Sequence, residues 1–107
     1  MVHPALQPLL PQLYQLCARY GVQQLYLFGS AVTERFDPAR SDVDTVVQMP
    51  PGLDPLDRGG RLWALWDGLE ELFGRRVDLV TPESLRNPIF KLELAETQEL
   101  IYDAPHS

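Results

Sequence analysis

Two short strand-like runs, Val43 to Met49 and Val77-Asp78-Leu79-Val80, flank a stretch in which Leu62, Leu65, Trp66, Leu69, Leu72 and Phe73 recur every three or four residues before Gly74. Helical periodicity between two strand periodicities predicts a crossover helix, and a crossover of that length joins neighbouring strands of one sheet. The helix is expected from Leu62, since Pro50-Pro51-Gly52 and Pro55 close the preceding strand. The stretch from there to Gly59-Gly60 reads as a mobile connection, with a composition that permits a lid.

The other elements follow from the same spacing argument. Leu6, Leu9, Leu10, Leu13, Leu16, Cys17 and Tyr20 form an amphipathic helix ended by Gly21, with Pro8 and Pro11 blurring its start. Val22 to Phe28 is a mostly apolar run that stops at Gly29-Ser30, as a buried strand meeting a turn does. Residues 31–41 are polar. Asn87-Pro88 reads as a helix cap followed by proline at the first helical position, and Phe90, Leu94, Thr97 and Ile101 carry a last helix to about Tyr102. The expected fold class is α/β (α+β), a small mixed β-sheet with helices packed on it. A length of 107 residues leaves room for one domain, 1–107.

Composition narrows the partners. A net charge of -6 argues against an affinity built on a field of Lys and Arg along a nucleic-acid backbone, so long nucleic acid is a poor partner. No window is apolar enough to span a bilayer and the start is unlike a signal peptide, which predicts a cytoplasmic protein without membrane contact. Cys17, inside the first helical pattern, is expected to fill core. His3 and His106 are expected at frayed ends. Trp66 shares the apolar stripe and is expected in the core, whereas Trp63 lies off it, either partly buried or available to a partner.

The chemistry concentrates at the acids. Asp42 and Asp44 are two residues apart at the start of a strand, so their carboxylates project to one face with Cα atoms roughly 6.5 to 7 Å apart. Hard oxygen ligands so placed can share divalent ions of the kind that stabilise phosphoryl transfer, although Ser41-Asp42 after a proline turn could equally be a hydrogen-bonded loop. Asp78 supplies a third carboxylate, opposite in direction to Val77 and Leu79; alone, it could as well face water or pair with Arg75 or Arg76. Gly29-Ser30 lets the backbone approach a ligand closely, with amides able to meet phosphate oxygens where a helix starts.

Leu25-Tyr26-Leu27-Phe28-Gly29-Ser30, eleven residues, then Asp42-Val43-Asp44-Thr45-Val46-Val47 resembles the signature of minimal nucleotidyltransferase domains of the polymerase β superfamily, the type found in HEPN/MNT toxin–antitoxin pairs. The resemblance implies a polymerase β-like nucleotidyltransferase fold and an aspartate pair, Asp42 and Asp44, that ligates magnesium. It also implies a Gly29-Ser30 turn that binds the triphosphate and a third acid that maps to Asp78. Two magnesium ions and ATP are implied, with Asp78 taking a proton from the acceptor hydroxyl. Relatives often carry arginine after Gly-Ser where Ala31 stands here, so phosphate contact falls to Arg35, Arg40, Ser41 or backbone amides. Thr45 replaces a commonly apolar residue and points away from the acids. The implied partner is a HEPN-family toxin that the chain adenylylates as its antitoxin, in a possible homo- or hetero-oligomer. The alternatives are a catalytically silent antitoxin that masks its partner, and a small-molecule nucleotidyltransferase completed by another subunit.

Overall fold

The computed structural model describes residues 2–84 and 88–105. Helix α1 (Leu10–Arg19), led in by a 3-10 turn at Gln7–Leu9, is followed by strands β1 (Gln24–Phe28) and β2 (Val43–Gln48). Then come helix α2 (Pro55–Phe73), strand β3 (Val77–Val80), helix α3 (Pro88–Thr97) and strand β4 (Glu99–Asp103). The strands form one sheet in the order β3-β2-β1-β4. β1 runs antiparallel to both β2 and β4, while β2 and β3 are parallel, so the sheet is mixed as expected. α2 is the crossover that parallel neighbours require.

One face of the sheet carries the core. Leu25 and Leu27 of β1, Val43 and Val47 of β2 and Val77 of β3 cluster with Leu13 and Cys17 of α1 and Leu65, Leu69 and Phe73 of α2. Each such side chain taken fully out of water contributes about 1.5 to 3 kcal/mol before the entropy of ordering it is counted. Alternation along the strands then places Tyr26, Phe28, Asp44, Val46, Asp78 and Val80 on the opposite face. α3 packs against β1 and the turn that follows it. α1 ends where Gly21 takes φ +68°, a conformation that leaves the Val22 N–H to close onto the Cys17 carbonyl at 3.0 Å.

Four expectations are corrected. α2 begins at Pro55, seven residues before Leu62, and Gly59-Gly60 lie inside it. Proline at the first helical position needs no N–H partner, and the Arg58 N–H closes the first turn onto the Asp54 carbonyl at 2.8 Å. The last helix stops at Thr97, and Glu99–Asp103 is a strand, because residues 99–103 find the open edge of β1. Trp66 is 37% exposed rather than core, since the buried line of α2 runs through Leu65, Leu69 and Phe73 and leaves position 66 about 100° to one side. His3 is not frayed: its N–H donates to the Ala31 carbonyl and its ring lies 5.1 Å from that of Phe36. The expected Asn87 cap and His106 fall outside the described residues. No helix among the described residues is long and apolar enough to cross a membrane.

Candidate active site

The register of the sheet sets the site. Phe28, Asp44 and Asp78 are partners in one row across β1, β2 and β3. Neighbouring strands lie about 4.8 Å apart, and residues in register direct their side chains to the same face. Asp44 and Asp78 are therefore side by side although 34 positions apart in the chain. Asp42 stands exposed at the loop end, one residue ahead of β2, and Asp44 is half-buried. Phe28, the third member of the row, leads directly into Gly29, whose φ of +68° turns the chain at the end of β1.

Like charges this close repel, and Arg76 offsets part of that repulsion. Arg76 Nε lies 3.5 Å from Asp78 Oδ1, on the same side of β3. The strands that carry the acids are tied together beneath them. Thr45, next to Asp44 and fully buried on the core face, donates its hydroxyl to the Asp78 carbonyl at 3.1 Å. On the outer side of β3, the Val77 N–H donates to Glu70 Oε2 at 3.1 Å while the Trp66 indole N–H donates to the Val77 carbonyl at 2.7 Å. Two side chains of α2 thus clamp the residue before Asp78.

The loop before Asp42 is closed on itself. Asp37 accepts the Ala39 N–H on Oδ1 and the Ser41 N–H on its carbonyl, and its own N–H donates to Ser41 Oγ at 2.8 Å. Ser41, expected at the nucleotide, here shapes the loop with its hydroxyl. Arg75 fastens this loop to the fold: one guanidinium nitrogen donates to the Ser41 carbonyl at 3.4 Å, Nε donates to the Phe73 carbonyl, and the cation sits 4.9 Å above the Phe36 ring. Arg35 and Arg40 stand exposed on the same loop.

The Gly29-Ser30 turn opens a short 3-10 helix, Gly29–Val32. The Gly29 N–H donates to Thr97 Oγ1 at 2.9 Å. The Ser30 carbonyl accepts both the N–H and the hydroxyl of Thr33. Sequence reasoning gave no role to Thr97 or Glu70, and missed the bonds made by Thr45 and Arg75, because the contacts that matter join residues far apart in the chain.

Magnesium prefers carboxylate oxygens, and the register pair with Asp42 nearby gives a donor set of that chemistry. Among the described residues no three His, Cys, Asp or Glu side chains stand close enough to hold a metal ion between them. The backbone brings two of the three acids together and leaves the third at the adjoining loop end.

A mixed sheet with two crossover-linked acids in register beside a glycine turn is the arrangement of a nucleotidyltransferase. Residues 12–102 match the nucleotidyltransferase domain family, and the chain belongs to it. Two proteins of Methanocaldococcus jannaschii that bear the provisional name protein adenylyltransferase are each 32% identical over 84 residues, covering 78% of this chain and 79% of the relative. Among solved structures, one provisionally described as a minimal nucleotidyltransferase is similar at TM-score 0.63 and 28% identity, covering 92% of this chain and 95% of that one. A crystal structure of a toxin–antitoxin with AMP-PNP shares the fold at TM-score 0.65 and 22% identity, over 89% of this chain and 73% of that one. A complex of tri-AMPylated Shewanella oneidensis HEPN toxin with MNT antitoxin does so at TM-score 0.61 and 21% identity, over 92% and 72%.

Proposed function

We propose that this nucleotidyltransferase is a metal-dependent protein adenylyltransferase that moves AMP from ATP to a hydroxyl of a HEPN-family toxin and so acts as its antitoxin. The observation that carries the reading is the Asp44–Asp78 register beside the Gly29 turn. The adenylyltransferase names of the archaeal relatives and the nucleotide-bound and AMPylated toxin–antitoxin neighbours support the choice of donor and partner.

Asp44 and Asp78, joined by Asp42 reaching in from the loop end, would hold magnesium, which when bound offsets the charge of the triphosphate and eases deprotonation of the acceptor. The acceptor oxygen attacks the α-phosphorus, the bond to the bridging oxygen breaks, and pyrophosphate leaves. Asp78 takes the hydroxyl proton. With the Gly29 N–H committed to Thr97, Ser30 and the backbone beyond it face the triphosphate, and Arg35 and Arg40 supply positive charge from the loop. Ser41 serves the nucleotide by holding that loop in shape.

The test is to incubate the chain with ATP, magnesium and a HEPN-family toxin, and to weigh that toxin. A gain of one or more AMP units, absent with Asp42→Ala/Asp44→Ala, is the expected result. Tight binding with no gain in mass would overturn transfer in favour of a masking antitoxin.

A further inference from the structure

The two tryptophans of the chain lie together, away from the core. On α2, positions 56, 59, 60, 63, 66, 67 and 70 share one side at three and four residue spacing. Leu56 is 86% exposed, Trp63 71% and Trp66 37%, an outlay of apolar area that a helix facing only water would not carry. The Trp63 and Trp66 rings meet edge to face at 6.0 Å and 72°. Between them opens a notch of about 140 Å³ lined by Trp63, Trp66, Asp67 and Glu70.

The lining has one electrostatic sign. Indole faces carry negative quadrupole density, both polar side chains are carboxylates, and among the described residues no Lys, Arg or His lines the notch. Glu70 spends one oxygen on the Val77 N–H, and Asp67 is exposed with no hydrogen bond or ion pair among the described residues. An apolar occupant would strand the Asp67 carboxylate beside hydrocarbon, and an anion would be repelled. A planar guanidinium satisfies both halves at once, stacking on an indole while its N–H fork meets carboxylate oxygens. The notch also lies at the β3 edge of the sheet, because the Trp66 indole N–H holds the Val77 carbonyl, while the Asp78 carboxylate projects from the opposite face.

We propose that the Trp63–Trp66 notch seats an arginine side chain of the protein acceptor and so docks that protein along the β3 edge of the sheet that carries Asp78. This deepens the adenylyltransferase reading, yet its test involves neither nucleotide nor transfer, so either can fail alone.

Both tryptophans of the chain line the notch, so intrinsic fluorescence reports on it without a label. The probes are N-acetylarginine methylamide and its uncharged isostere N-acetylcitrulline methylamide, titrated into the full chain at low ionic strength. The arginine probe should change the emission saturably and bind roughly tenfold more tightly than citrulline. Asp67→Asn, at an exposed position, should erase most of that preference while leaving the melting temperature unchanged. Equal response to the two probes, or an undiminished preference in Asp67→Asn, would overturn the proposal. So would a concentration-dependent emission shift that tracks dimer formation and vanishes in Trp63→Ala, because the occupant would then be a second copy of the chain.

Discussion

Thr97 Oγ1 accepts the Gly29 N–H at 2.9 Å, tying the end of α3 to the turn that closes β1 across 68 residues of sequence. Thr97→Val keeps the shape and removes the acceptor. It should lower stability by about 1 kcal/mol, the usual net value of one hydrogen bond, and raise the KM for ATP more than it lowers kcat. Thr97→Ser should restore both. Chemical denaturation and steady-state transfer check the two halves of the prediction separately.

Thr45 makes the corresponding tie inside the core, from β2 to the Asp78 carbonyl. Thr45→Val should cost about 1 to 2 kcal/mol in a urea titration with an unchanged slope, since a fully buried hydroxyl disappears without leaving a cavity. A valine variant as stable as the parent would show that this bond contributes nothing.

Arg75 joins the loop carrying Asp42 to the end of α2. Arg75→Met retains much of the apolar stem but loses both backbone contacts and the charge above Phe36. Amide hydrogen exchange over residues 37–42 should quicken by at least about fivefold, with α1 and α2 unaffected, because the perturbation is local. Uniformly faster exchange would mean that Arg75 supports the fold as a whole instead of this loop.

Burial pushes the Cys17 thiol up from its ordinary 9.0 to about 12. The unfolded chain therefore releases this proton at lower pH than the folded chain does. Cys17 adds its full share to stability below about pH 9, and that share is lost progressively as pH rises toward 12. Cys17→Ala should be less stable than the parent at neutral pH from lost packing, yet its stability should fall less steeply between those values. Thiol reagents should react with the parent chain only as it unfolds.

Removal of metal offers a further check on the acids. With a chelator present, or in Asp44→Asn, transfer should fall by at least about a hundredfold while the far-ultraviolet circular dichroism is unchanged, since electrostatic stabilisation of the transferring group is usually the largest catalytic contribution. Asp44 occupies a half-buried position at the strand start, so the variant should fold.

Residues that obey a local period were legible before any coordinates. Val77–Val80 is the strand its alternation predicts, β1 ends at Gly29, and the crossover between β2 and β3 follows from the helical stretch between them. The period placed the three acids on strands or at a strand start, the resemblance to nucleotidyltransferases nominated them, and the register sets Asp44 against Asp78. Residues whose structure depends on distant partners were not legible. Glu99–Asp103 extends because β1 offers an edge, against a helical spacing that continues through Ile101. Trp66 leaves the core because its indole N–H finds the Val77 carbonyl, a contact that apolar periodicity does not encode. Gly59-Gly60, ordinarily helix breakers, are carried inside α2 by the turns on either side of them.

Trp66 and Glu70 occupy the outward-facing C=O and N–H of Val77, on a strand that borders the sheet. An exposed border of this kind ordinarily invites a foreign strand to zip onto it, in aggregation or in peptide capture. Here an incoming backbone would have to evict two anchored side chains first. That flank is guarded against β-augmentation, and whatever is recognised along it must be read through side-chain chemistry instead of main-chain pairing.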